Sequence, residues 1–251
     1  MAVHDFSAAV DFYSNKLGVA SEEEEAKEDW RYYNTRRMTF ELFQAHPQRI
    51  KVQAWGKGQA FRPVILVSDL AAAETLLRRQ AIPFASSTST SGAQVEMIGS
   101  EGIRWGLMES PDGEMDWAHP IVGGIEVKAT NLEAQRDFYT RMMGMAIEDQ
   151  RDQFIHLSQS NGDVWLHLET GGLPAPFPAR TDTKSPAFLH PIWISFETQD
   201  VRSANTWLQQ HDLTFLRSLT YHPDWNGTDI LLADADGNVV QVVQYSKANI
   251  N

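Results

Sequence analysis

Apolar residues recur at helical spacing in two stretches of this chain. Ser7 is placed to cap the first, and Ala9, Phe12, Tyr13 and Leu17 follow on one face. In the second, Asn131 or Glu133 opens a segment whose Ala134, Phe138, Tyr139 and Met142 share a face. Apolar runs at 63–67 and 192–196 read as strands, each followed by a helix, over 69–80 and 201–211. Further strands are predicted at 104–109 and 228–233. Strands at 38–43 and 50–55 flank a turn at His46-Pro47. Those at 154–158 and 164–169 flank Ser160-Asn161-Gly162-Asp163, a hairpin signal.

The pattern repeats. Residues 5–18 read DFSAAVDFYSNKLG and residues 131–144 read NLEAQRDFYTRMMG, an interval of 126 in a chain of 251. A second echo, Ser-Pro-Asp-Gly at 110–113 and Asp-Ala-Asp-Gly at 234–237, is spaced by 124. Strand–helix–strands thus recurs four times, in modules of roughly 50–65 residues. Each such module presents one sheet face and needs a partner to bury it. The fold class is α+β, and the repeat divides the chain into 1–118 and 119–251.

Composition narrows the chemistry. The apolar fraction of 42% and the charged fraction of 22% are those of a globular protein. Lys+Arg 21 against Asp+Glu 33 gives −12, which repels nucleic acid and anionic membranes. The absence of Cys removes disulfides, thiolate catalysis and zinc–thiolate sites. The start of the chain has no signal-peptide pattern, and no apolar run approaches the ~18 residues of a membrane span. A cytoplasmic location is expected. Glu22–Glu25 with Glu28 and Asp29 form an acidic run that reads as a solvated face. Residues 171–191 hold five Pro and read either as a linker or as a lid carrying Phe177, Phe188 and Leu189.

DFSAAVDFYSNKLG and NLEAQRDFYTRMMG, the passages VILVSDLAAAETLL and ISFETQDVRSANTWL, and the turns SPDG and DADGN together resemble the vicinal oxygen chelate superfamily. That superfamily includes glyoxalase I, bleomycin-resistance proteins and extradiol dioxygenases. The resemblance covers nearly the whole chain. It implies four βαβββ modules in two tandem domains, 1–118 with a truncated first strand and 119–251. In each, sheets curl around a cavity with helices outside.

In metal-dependent members of the superfamily, cavity-facing His, Glu or Gln side chains hold one divalent ion and leave open positions for substrate oxygens. One ligand position lies on each module's first strand, about seven residues before the Asp or Asn that opens the helix. Here those positions are Gly124, Trp193 and Arg62; from Asp5 the count runs off the chain. The closing strand after each D-x-D-G-like turn offers Trp117 and Gln241. The last strand of the odd modules offers Gln53 and His167. Neither set holds a metal in the superfamily's way, so no cofactor is expected. If there is one, it is a single Fe, Mn, Ni or Zn ion in the second domain.

The remaining candidates divide between function and structure. Glu126 and Lys128 share a parity with Gly124 and face inward, while Ile125 and Val127 face the helix. Glu126 with His167 makes either a catalytic acid–base pair or, through Lys128, an ordinary salt bridge. Arg62 pairs with an anionic ligand or with an internal carboxylate such as Asp116. His190 is either a residue at the cavity mouth or a plain loop histidine, and His156 reads as pointing to solvent. Trp117 and Trp193 offer flat apolar surface to a planar or hydrophobic ligand, or else fill their cavities. Ser195, Glu197 and Gln241 keep the second half's inner face polar, which favours an open pocket bounded by Gly124, His167, Trp193 and Gln241.

Three functions fit these residues. The first is a metal-free binder of a small organic molecule. The second is a superfamily lyase, isomerase or oxygenase with displaced ligands or a Glu126–His167 pair. The third is a module that has lost its site. The short first strand exposes a sheet edge, through which a homodimer would form.

Overall fold

Local sequence signals set the helices of the computed structural model, which describes residues 1–21, 29–44, 60–89, 92–159, 162, 164–172 and 192–246. Four helices begin on an Asx cap whose side chain accepts a backbone N–H three residues on. They are α1 (Phe6–Val10) on Asp5, α2 (Leu70–Arg79) on Asp69, α3 (Leu132–Asp137) on Asn131 and α4 (Val201–Leu208) on Asp200. The first cap is therefore Asp5 rather than Ser7. Helices α1 and α3 run on as wider π-helical turns, over Asp11–Lys16 and Phe138–Met142. No helix among the described residues is long and apolar enough to cross a membrane.

Among the described residues, fifteen strands form three sheets. A three-stranded sheet takes β1 (Ala2–Val3), β2 (Trp30–Asn34) and β3 (Thr39–Gln44) in the order β1-β3-β2. The largest sheet begins with β4 (Phe61–Val67), β5 (Phe84–Ser89), β6 (Gly92–Ile98) and β7 (Arg104–Glu109) from the first half. It continues with β8 (Ile121–Ala129), β9 (Ala146–Arg151), β10 (Phe154–Ser158) and β11 (Trp165–Thr170) from the second. Its order is β5-β6-β7-β4-β8-β11-β10-β9. The last sheet holds β12 (Ile194–Glu197), β13 (Thr214–His222), β14 (Gly227–Ala233) and β15 (Val239–Tyr245), in the order β12-β15-β14-β13.

The seam of the large sheet is the antiparallel pair β4–β8, in which Arg62 faces Glu126 and Val64 faces Gly124. A register step after Val64 leaves Gly123 as an extra residue, a β-bulge at the seam. The division at 118/119 is thus not a sheet boundary, because strands from both sides of it pair directly. Helices join modules within a half instead. Tyr13 on the turn after α1 accepts a hydrogen bond from the Trp105 indole of β7 at 3.0 Å. Tyr139 after α3 donates to Asp234, at the end of β14, at 3.0 Å. Burial, then Asp234, holds the Tyr139 phenol well above its usual pKa, so it stays a donor. The main core lies under these helices, with Phe6, Tyr13, Ile65, Trp105, Ile125, Val127, Phe138 and Tyr139 buried together. Each such side chain contributes about 1.5–3 kcal/mol by leaving water.

The duplicate turns lie in a different register from the one the sequence suggests. In the parallel pair β12–β15, Ser195 faces Gln241; in β4–β7, Val64 faces Gly106. Val64 and Ser195 each stand five residues before their helix cap, Asp69 and Asp200. Gly106 therefore matches Gln241, and the turn matching Asp234–Gly237 is Gly99-Ser100-Glu101-Gly102. Gly102 and Gly237 both occupy the left-handed region, at φ 80 and 91. Residues 110–113 come after the closing strand, and no strand follows before β8. Trp117 accordingly holds no ligand position; it packs, half-buried, against the main core.

A matching correction applies to the first module. Val3 faces Gln44 in β1–β3, as Ala129 faces Thr170 in β8–β11. Glu41, three residues before Gln44, thus occupies the position of His167. Gln53 and the strand expected at 50–55 lie outside the described residues, as do His190 and the stretch 173–191.

Candidate functional site

Two concave faces result, each built from one module of either half. The four residues expected to line a single pocket are divided between them. Gly124 and His167 stand on the eight-stranded sheet, Trp193 and Gln241 at the four-stranded one.

The first concave face belongs to the eight-stranded sheet. Its centre is the Arg62 guanidinium, which pairs with Glu126 through Nε and Nη2, donates to Glu96 at 3.0 Å and to the Gln94 carbonyl at 2.8 Å. The Gln94 amide returns a hydrogen bond to Glu126. Glu126 is 1% exposed, a depth at which a carboxylate stands only if it is paired and hydrogen-bonded. Arg62 thus pairs with Glu126 and Glu96, not with Asp116. Lys128 pairs with Glu169, not with Glu126.

His167 has no carboxylate partner in this arrangement. Its Nε2 lies 3.3 Å from His156 Nδ1, and its ring stacks on Trp165 at 3.8 Å between centroids. Burial, reinforced by His156, lowers the His167 pKa to about 3, and its Nδ1 is buried without a hydrogen-bond partner. A neutral imidazole with these neighbours and an ion-paired Glu126 do not form the acid–base couple. His156, expected in solvent, is half-buried against this pair.

This face is filled by its own side chains. Val64, Leu66, Ile121 and Trp165 form one buried cluster with Met108 against it. A Cβ added at Gly124 would meet Trp165 atoms at 2.3 Å, and one at Gly106 would meet Val64 at 3.1 Å. The superfamily's ligand positions here are Arg62, Gly106, Gly124 and His167: one cation, two glycines, of which Gly124 has no room for a side chain, and one histidine. They do not fit a divalent ion.

The second concave face is shared by the three- and four-stranded sheets, which meet where the rings of Phe43 and Trp193 lie 4.8 Å apart. Its floor is a hydrogen-bonded chain. Ser195 Oγ donates to the Gln241 carbonyl at 2.6 Å, and the Gln241 amide donates to Asp229 at 2.6 Å. Fully buried Asp229 also takes Arg217 and, at 3.0 Å, His222. His222 stacks on Trp225 at 4.7 Å, and Trp225 meets Tyr245 edge-on at 5.7 Å. Ser195 and Glu197 are exposed, and Trp193 and Gln241 half-buried. The ligand positions on this side are Trp193, Gln241 and Glu41. Among the described residues, no three His, Asp or Glu side chains are grouped to hold an ion.

Sequence reasoning missed Glu41, Asp229, Arg217, Tyr245 and Gln94. The signal that finds them is strand register: Asp229 follows from pairing β14 with β15, and Glu41 from pairing β3 with β1.

Residues 122–242 match the family model described as Glyoxalase/Bleomycin resistance protein/Dioxygenase superfamily. Solved structures extend the likeness to nearly the whole molecule. A Bacillus subtilis protein assigned as a dioxygenase aligns at TM-score 0.68 and 14% identity, covering 97% of this chain and 82% of its own. Glyoxalase I from Zea mays aligns at 0.65 and 15%, covering 97% and 89%; a point variant of it reaches 0.69, covering 97% and 91%. At these identities the likeness shows the fold, which is that of the vicinal oxygen chelate proteins. No curated protein sequence matches the chain.

Proposed function

We propose that this protein is a metal-independent binder of a small organic molecule, seated on the concave face between the three- and four-stranded sheets. The observation that carries this reading is the hydrogen-bonded chain Ser195–Gln241–Asp229, running from an exposed serine to a buried aspartate, beside the Trp193–Phe43 ring pair. A few fixed polar groups among aromatic surfaces are what a small-molecule site requires. The donor set supports metal independence, since Trp193 and a Gln241 already bound on both sides replace two ligands. The Glu126–His167 enzyme reading loses support, because Glu126 is committed to Arg62 and Gln94.

Titration with planar aromatic compounds, read by tryptophan emission, tests the site. Saturable quenching is expected, and Trp193→Ala should weaken it about tenfold, the worth of one stacked ring at roughly 0.5–1.5 kcal/mol plus its buried area. Stoichiometric Fe, Mn, Ni or Zn in the purified protein would overturn the metal-independent part.

A further inference from the structure

The charges on the open face do not balance. Asp229 is matched on the floor by Arg217. Glu41 and Glu197 are not matched: among the described residues neither has a Lys, Arg or His side chain in ion-pair contact. The Met1 amine donates to the Glu41 backbone carbonyl, and burial lowers its pKa.

Glu41 lies against one phenol, and the charge of Glu197 acts on the same group. Tyr245 donates to Glu41 at 3.5 Å, and burial, Glu41, Tyr32 and Glu197, in that order, push its pKa up. Aromatic rings stand around this point. The Trp30 indole donates to Glu41 at 3.4 Å and lies 6.0 Å from the Tyr32 ring. Trp193 with Phe43 and Trp225 with Tyr245 supply the other walls.

Resting on the binding reading above, we infer that the ligand is an organic cation, with its flat body among these rings and its positive centre near Glu41 and Glu197. Ring faces and carboxylates attract a cation together, and each gains strength as the cleft loses water. An anion would face two like charges. A neutral body would leave that repulsion unrelieved. The chain's net charge of −12 adds long-range steering of the same sign.

The test uses three acridines of one shape: 9-aminoacridine as the cation, acridine as the neutral body and acridine-9-carboxylate as the anion. Calorimetric titration at neutral pH is expected to rank cation over neutral body by about tenfold, with no binding of the anion. Glu41→Gln and Glu197→Gln should each remove about threefold to tenfold of the cation's affinity and leave acridine unchanged. Equal binding of cation and neutral body, preferred binding of the anion, or indifference to both Gln variants overturns the cation while the binding reading stands. If none of the three binds, or if Ser195→Trp, which fills the cleft, changes nothing, the binding reading itself fails. Circular dichroism of each variant checks that it is folded.

Discussion

At matching places in the two concave faces, Val64 and Leu66 stand where the other has Ser195 and Glu197. The first pair is buried in a cluster with Trp165, and the second is exposed. The same contrast holds deeper down. Gly106 answers Gln241, Gln94 answers Asp229, and His167 answers Glu41. One face spends its positions on apolar fill around a single ion-paired arginine. The other carries the Ser195–Gln241–Asp229 chain and leaves Ser195 and Glu197 exposed to water. A shared module plan therefore dictates the position of a side chain but not whether the space above it stays open.

The largest test of that contrast is Glu126→Leu. Removing this carboxylate leaves Arg62 buried against Glu96 and Gln94 alone, and a loss of about 3–5 kcal/mol in unfolding free energy is expected. Chemical denaturation measures it, and a loss below about 1 kcal/mol would mean that the face admits water. Ligand binding at the open face should survive in the folded fraction.

Gly124→Ala comes next. The new methyl collides with Trp165, including its backbone carbonyl, so overpacking by about 1–3 kcal/mol is expected from thermal unfolding. An unchanged midpoint would show that Trp165 moves freely and that the face is not filled.

The effect that is smallest near neutral pH, and grows as pH falls, is a pH dependence. His167 has a folded pKa near 3 against an ordinary 6.5, so the unfolded chain binds the extra proton between those values. Stability from this group is complete above about pH 6.5 and declines toward pH 3, by at most about 1.4 kcal/mol per unit. His167→Phe keeps a ring against Trp165 and should flatten the profile between pH 6 and 4 relative to the parent. Parallel profiles would place His167 in contact with solvent.

Local features of this molecule were legible in its sequence. Asp69, Asn131 and Asp200 cap helices because a short oxygen-bearing side chain precedes an apolar periodic run, and residues 104–109 and 154–158 form strands as their pattern predicts. Long-range register was not legible. The turn at 99–102 has no aspartate at the matching place, and there Tyr13 bonds to the Trp105 indole, whereas Tyr139 bonds to the Asp234 carboxylate. A Cβ at Gly99 would lie 3.1 Å from the Tyr13 oxygen, so the position has little room for that side chain. The look-alike at 110–113 then supplied a false frame that carried Trp117 into the ligand set. Pairing of β4 with β8 has no local signature at all, because both strands are apolar runs that any sheet edge would accept.

That pairing has a consequence for how the chain diversifies. Each face draws one module from either copy of the repeat, so a substitution in any single module alters one face and spares the other. The two faces have separate inheritances within one gene product. One can be sealed and the other left open without either arrangement having to be accommodated twice.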